Sequence, residues 1–285
     1  MYAIEVPAEF LTKYGEKFQI KLSTELGSML LRGNMLANNE AAGEQEKISI
    51  MMAKSEVPQN AAIQGKVGVV IDLHVESEGQ ALAYNNKDAA VTVQIPYALS
   101  EEELENVELL SVWYVDEQGH VQLVPTGKYD FTSKEMRFQT SHFSKYAISY
   151  LTKSFNDLSP VPWAPQAIQV LASKGIINGV TDRSYQPGSF ITRADFTKIL
   201  IEALGITAAV NTSFVDVNQD DYYYEAVGIA HSLGIIEGSG DRKFKALISG
   251  YAADAVAALV KMGLVRREVM AESNLCSLQR VLRLQ

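Results

Sequence analysis

The sequence predicts a multidomain chain of α and β structure: an antiparallel β-sandwich-like domain over residues 1–150, followed by an all-α domain of helical-hairpin repeats. Three observations predict it. At 285 residues the chain is long for one average domain and comfortable for two, each large enough to bury its own core. The first half alternates apolar and polar residues in twos, the period of a half-buried strand. The second half writes one segment twice at a fixed offset, which marks a repeat architecture.

In the first half, Ile48, Ile50 and Met52, then Val67, Val69, Ile71, Leu73 and Val75, then Val91, Val93 and Ile95 keep the two-residue period. Leu110 to Val115, Val121 to Val124, Met136 to Thr140 and Tyr146 to Tyr150 are further predicted strands. Gly79, Asn85 with Asn86, Gly119 and Gly127 mark turns between them. Ser100 and Glu103 form a capping box that opens a short helix. So many short strands predict a Greek-key sandwich.

In the second half, Phe155, Asp157, Ala167, Gly175, Ile176, Ile177, Gly179 and Asp182 recur 59 residues later as Phe214, Asp216, Ala226, Gly234, Ile235, Ile236, Gly238 and Asp241. Trp163, Ile168 and Tyr185 recur as Tyr222, Val227 and Phe244. Each copy reads as a loop entering a helix, with Pro165 in the first turn, where its missing N–H is harmless, and Gly175 as the C-terminal cap. Thr192 and Asp195 cap a second helix whose apolar face holds Phe196, Ile199, Leu200, Ala203 and Leu204, closed by Gly205.

FNDL, WAPQAIQVLASKGIING, Tyr185 with Pro187, and ITRADF together resemble the S-layer homology motif. The resemblance implies three such units packed as a pseudo-threefold helical bundle. It also implies grooves between units that hold pyruvylated secondary polymers attached to peptidoglycan. On it, residues 155–211 form a complete repeat, 214–247 the first half of a second, and 248–265 the first helix of a third, with 266–285 a tail lacking the repeat signature. Gly263 follows Gly234 by only 29 residues, so the second helix of repeat two is missing, and an internal deletion with a change of reading frame after Val265 is the expected origin. An ordinary terminal helix over 266–285 is the alternative.

A pyruvylated sugar presents a carboxylate, which the N–H groups and dipole of a helix start receive well. Thr192 and Arg193 stand at such a start, and a guanidinium can add a bidentate contact. The resemblance points to the same arginine, and to Gly179 and Gly238 as loop residues lining the grooves. Trp163 reads first as a core residue, with direct stacking on sugar as the alternative. Asp157 and Asp216 read as caps or turn residues.

The charge of −9 lies entirely in the first half, where residues 1–150 hold 12 Lys and Arg against 21 Asp and Glu. With no basic block, nucleic acid is not an expected partner. No apolar run of about 18 residues exists, so no membrane insertion is expected. The amino end lacks a secretory signal pattern, which predicts either a cytosolic protein or a signal upstream in a longer parent. A single cysteine, Cys276, gives no disulfide framework and no zinc site.

His142, Phe143 and Ser144 resemble the cleavage triplet of self-cleaving β domains in nucleoporins and adhesion receptors, chemistry that needs a strained bond beside the hydroxyl. A structural turn is the competing reading. Asp216, Asn218 and Asp220 imitate a calcium loop, but Asp221 replaces its glycine and Val227 its closing glutamate. With no catalytic signature, no metal and no cofactor indicated, the expected function is extracellular, non-covalent anchoring to a peptidoglycan-linked wall polysaccharide. The alternatives are a self-cleaving β domain, or the accessory region of a surface glycoside hydrolase.

Overall fold

The computed structural model describes residues 1–239 and 241–247. The expected third copy at 248–265, the tail at 266–285 and the frame change after Val265 lie outside them. The chain divides into two compact units, Met1–Lys153 with Ser173–Gly175, and Ser154–Ala172 with Ile176 onward.

The first unit runs β1 (Tyr2–Pro7), α1 (Glu9–Thr12), β2 (Gly15–Thr24), β3 (Gly27–Gly33), α2 (Glu40–Gly43), β4 (Lys47–Lys54), β5 (Lys66–Ser77), β6 (Gln80–Ala81), β7 (Val91–Pro96), α3 (Glu101–Glu105), β8 (Leu110–Val115), β9 (Val121–Val124), β10 (Lys128–Asp130), β11 (Glu135–Thr140) and β12 (Lys145–Tyr150). Every pairing is antiparallel. A seven-stranded sheet takes the order β1-β4-β5-β12-β8-β9, with β6 on β5, and a five-stranded sheet takes β10-β11-β7-β3-β2. Residues of both sheets share one core, including Ile48, Ile50, Met52, Leu73, Tyr146 and Ile148 from the first and Met29, Leu31, Val91, Val93 and Phe138 from the second. Alternation in these strands therefore has a physical cause: one face of each meets that core.

Val67 breaks the pattern. Ile148 pairs with Val69 but Ser149 with Val67, so Gly68 is the extra residue of a bulge and the strand flips there. Val67 consequently packs in a second cluster, with Val70, Trp113, Ala147 and Leu151. The capping box of α3 is complete: Ser100 Oγ accepts from the Glu103 amide while the Glu103 carboxylate accepts from the Ser100 amide.

The second unit holds α4 (Pro165–Ser173), α5 (Arg193–Leu204) and α6 (Tyr224–Ser232), of nine, twelve and nine residues. The expected fold class is overturned here. The described chain is mostly β, with twelve strands in two antiparallel sheets, and it is not a β-sandwich-like domain followed by an all-α domain of helical hairpins. Long irregular loops separate the three helices. Those loops supply core residues as the helices do: Ile176, Ile177 and Tyr185 pack with Ile168 of α4, and Phe214, Ile235, Ile236 and Phe244 pack with Val227 of α6. Part of the apolar core of this unit is thus held by backbone fixed in turns.

No helix among the described residues is long and apolar enough to cross a membrane.

Candidate functional site

The two copies of the repeat build the same loop. α4 ends at Gly175, whose φ of 73° permits the reversal in which the Ile176 amide reaches back to the Leu171 carbonyl at 3.0 Å. In the second copy Gly234 has φ 68° and the Ile235 amide bonds the Ala230 carbonyl at 2.8 Å. Eleven residues after each glycine, Gln186 and Lys245 both adopt a positive φ, 58° and 57°.

Each bend is held by an aspartate from far upstream. Asp157 accepts the amides of Tyr185 (2.9 Å) and Gln186 (2.8 Å) and the Ser184 hydroxyl (2.8 Å). Asp216 accepts the amides of Phe244 (2.7 Å) and Lys245 (2.9 Å). These are clasps across about thirty residues rather than caps of a neighbouring helix. The amides of Tyr185 and Gln186 favour the charged form and hold the Asp157 carboxyl down at about 2, below the usual carboxylate range.

Gly179 and Gly238 lie inside these loops. A Cβ on Gly179 would stand 2.4 Å from the Phe155 ring and 2.4 Å from the Thr181 carbonyl oxygen, and one on Gly238 would stand 2.9 Å from the Phe214 ring. Both glycines are therefore required by close approach of ring and backbone.

α5 begins as predicted at Thr192, whose hydroxyl oxygen accepts from the Asp195 amide at 3.1 Å. Gly205 closes it with φ 60°. Arg193 is only 5 % exposed. Its guanidinium donates to the Phe244 carbonyl (2.8 Å) and the Glu237 carbonyl (2.6 Å), and lies 4.6 Å from the centroid of the Phe244 ring. The first-turn amide of Ala194 donates to the Ala246 carbonyl at 3.0 Å. The helix start thus binds the loop of the second repeat with the groups that anion capture would have used. Sequence reasoning found Arg193, but its carbonyl partners carry no side-chain signal in the sequence.

Trp163 is 51 % exposed, and Tyr222, its counterpart 59 residues on, is 61 % exposed. The core reading of Trp163 is corrected. Ala164 and Ile168 fill the core of α4 with no exposed surface, and the indole one residue before them points outward. The Tyr222 hydroxyl donates to Asp195 Oδ1 at 2.5 Å, which ties the second aromatic to the start of α5. Arg183 and Arg242, also at matching positions, are exposed on the two loops.

In the first unit, the Ser144 hydroxyl donates to the Val115 carbonyl at 2.6 Å, and the His142 ring stands edge-on to Tyr114 with centroids 4.3 Å apart. Burial lowers the His142 pKa. None of residues 142–144 has a left-handed φ.

Residues 154–197 and 213–246 match the S-layer homology domain family. Over 115 residues the chain is 41 % identical to the amylopullulanase of Thermoanaerobacterium thermosulfurigenes, covering 40 % of this chain and 6 % of that protein. It is 42 % identical over 88 residues to endo-1,4-beta-xylanase A of Thermoanaerobacterium saccharolyticum, covering 30 % of this chain and 8 % of that protein. It is 33 % identical over 90 residues to the Surface-layer 125 kDa protein of Lysinibacillus sphaericus, covering 32 % of this chain and 8 % of that protein. The chain therefore spans less than a tenth of the length of each of these relatives. No solved structure matches it. The two matched segments and the loop they both build show that this chain carries S-layer homology domain repeats, which it shares with these relatives.

Proposed function

We propose that the second unit anchors the chain non-covalently to cell-wall polymer, with pyruvylated secondary polysaccharide as the ligand and the extracellular wall as its location. The observation that carries the reading is the pair of outward-facing aromatics, Trp163 and Tyr222, at the same position of both repeats. A ring with one face in solvent is a platform for the apolar face of a sugar, and a repeated platform suits a repeating polymer. Arg193 serves this reading as a positioning residue, because its guanidinium fixes the loop that carries Gly238. Thr192 caps α5, and Gly179 permits the close approach of the Phe155 ring in the first-repeat loop. The carboxylate of a pyruvyl group is assigned to the exposed guanidiniums of Arg183 and Arg242, whose fork geometry matches it.

Sedimentation of the chain with wall sacculi tests this, before and after mild acid removes the pyruvyl groups. Trp163→Ala is expected to weaken binding about tenfold, roughly the value of one stacked ring, while the thermal midpoint stays near that of the parent. Equal sedimentation with untreated and treated sacculi would show that pyruvate is not what is recognised.

A second reading places this anchor beside a catalytic module in a longer glycoside hydrolase. It is favoured by the likeness to an amylopullulanase and a xylanase. Coding sequence upstream with a hydrolase module would support it, and its absence there would remove it.

A further inference from the structure

Phe10, Tyr14 and Phe18 recur at four-residue intervals where α1 passes into β2, and their rings close a triangle. Centroids are 5.0 Å apart for Phe10 and Tyr14, 5.0 Å for Tyr14 and Phe18, and 5.5 Å for Phe10 and Phe18. Such a cluster inside a core would be sealed, yet Tyr14 is 49 % exposed and the two phenylalanines are half-buried. Its base is fixed. A Cβ on Gly33 of β3 would lie 3.0 Å from Tyr14 Cβ and 3.1 Å from Phe18 Cβ, so only glycine lets the aromatic segment sit this close to the sheet. The register shift between Gly15 and Gln19 lifts this part of β2 away from regular pairing.

Three lysines flank the rings. Lys13 precedes Tyr14, Lys17 precedes Phe18, and Lys21 follows on the same edge strand; all three are exposed. Among the described residues none of them pairs with a carboxylate. In a half that carries 21 acidic against 12 basic residues, the stretch 10–21 that bears the exposed aromatic surface holds three lysines and one glutamate, Glu16.

The combination selects a ligand class. Rings alone would suit a neutral sugar, whereas ammonium groups beside rings suit a sugar that carries carboxylate or phosphate. Nucleic acid is disfavoured, because three lysines on a chain of net charge −9 neutralise few phosphates. An added β-strand is disfavoured too, since lysines along an edge oppose sheet extension. We propose that Phe10, Tyr14 and Phe18 with Lys13, Lys17 and Lys21 form a binding site for an anionic polysaccharide, distinct from the repeats of the second unit.

Affinity electrophoresis of the full chain tests this in gels containing carboxymethylcellulose or uncharged hydroxyethylcellulose, with mobilities referred to polymer-free gels. The parent chain is expected to be retarded by the carboxylated polymer only, and less so as salt rises. Tyr14→Ala is expected to weaken binding about fivefold to tenfold, Tyr14→Phe to bind as the parent does, and the joint change Lys13→Ser, Lys17→Ser and Lys21→Ser to abolish retardation. Thermal melts of each variant separate lost binding from lost folding. The Tyr14 and lysine variants should sediment with wall sacculi as the parent does, so failure of the wall-anchoring reading leaves this result untouched. The proposal is overturned if the parent is not retarded, if both polymers retard it equally, if the alanine and serine variants bind as the parent does, or if Trp163→Ala alone removes binding.

Discussion

The two repeats share a loop and differ in what holds it down. In both, a glycine ends the helix, a distant aspartate accepts two consecutive amides, and a non-glycine residue takes a left-handed φ. Only the second loop receives the buried guanidinium of Arg193, which comes from the helix that completes the first repeat. The aspartate clasp is thus a property of one repeat, whereas the arginine clasp is supplied by its neighbour. In repeat proteins such neighbour contacts carry much of the stability, because single units cannot bury their apolar faces alone.

Removing Arg193 is the strongest way to break the comparison. Arg193→Ala forfeits two charge-assisted hydrogen bonds and the contact with the Phe244 ring, and leaves two loop carbonyls uncompensated. A loss of about 3 kcal/mol in the second unit is expected. Hydrogen exchange should quicken over residues 235–245 and remain unchanged over 175–186. Uniform acceleration in both loops would show that the clasp is not specific to the second.

The glycines sharpen the comparison at smaller scale. Gly179→Ala drives a methyl group into the Phe155 ring and two carbonyl oxygens, at 2.4 to 2.7 Å, and is expected to cost about 2 kcal/mol. Gly238→Ala meets its nearest atoms at 2.9 and 3.3 Å and is expected to cost about 1 kcal/mol. Urea unfolding of the two variants would give the order, and the reverse order would mean the first loop is the more yielding.

The smallest effect is the pH dependence of the first clasp. The folded Asp157 carboxyl is held at about 2, below its unfolded value near 4, so its contribution is fully present above about pH 4 and fades as pH falls toward 2. Exchange protection of the Tyr185 and Gln186 amides should fall over that window. Asp157→Asn is expected to flatten the dependence, and an unchanged profile would relieve Asp157 of the role.

Much of this architecture was legible where one physical cause acted alone. The predicted segments near β4, β5, β7, β8, β9, β11 and β12 were visible because one face of each meets the core. β1, β2 and β3 escaped notice for a different reason in each case. β1 buries little beyond Val6, β2 is interrupted by its bulge, and β3 is buried along most of its length with Met and Leu in place of β-branched residues. Caps were readable because they are local, as at Ser100, Thr192, Gly175 and Gly205. The clasps of Asp157 and Arg193 were not, since their partners are backbone groups 28 to 51 residues away. Trp163 misled because an aromatic beside Ala164 and Ile168 carries no mark of the direction its ring takes.

The place of β12 has a consequence for how the first unit is completed. This strand is the last of the unit's strands, yet it pairs with β5 on one side and β8 on the other. A nascent chain emerging amino end first therefore holds two unsealed half-sheets until six late residues slide between them. Vectorial delivery would leave the unit threadable until its final stretch appears, and locking would follow as a single closing event.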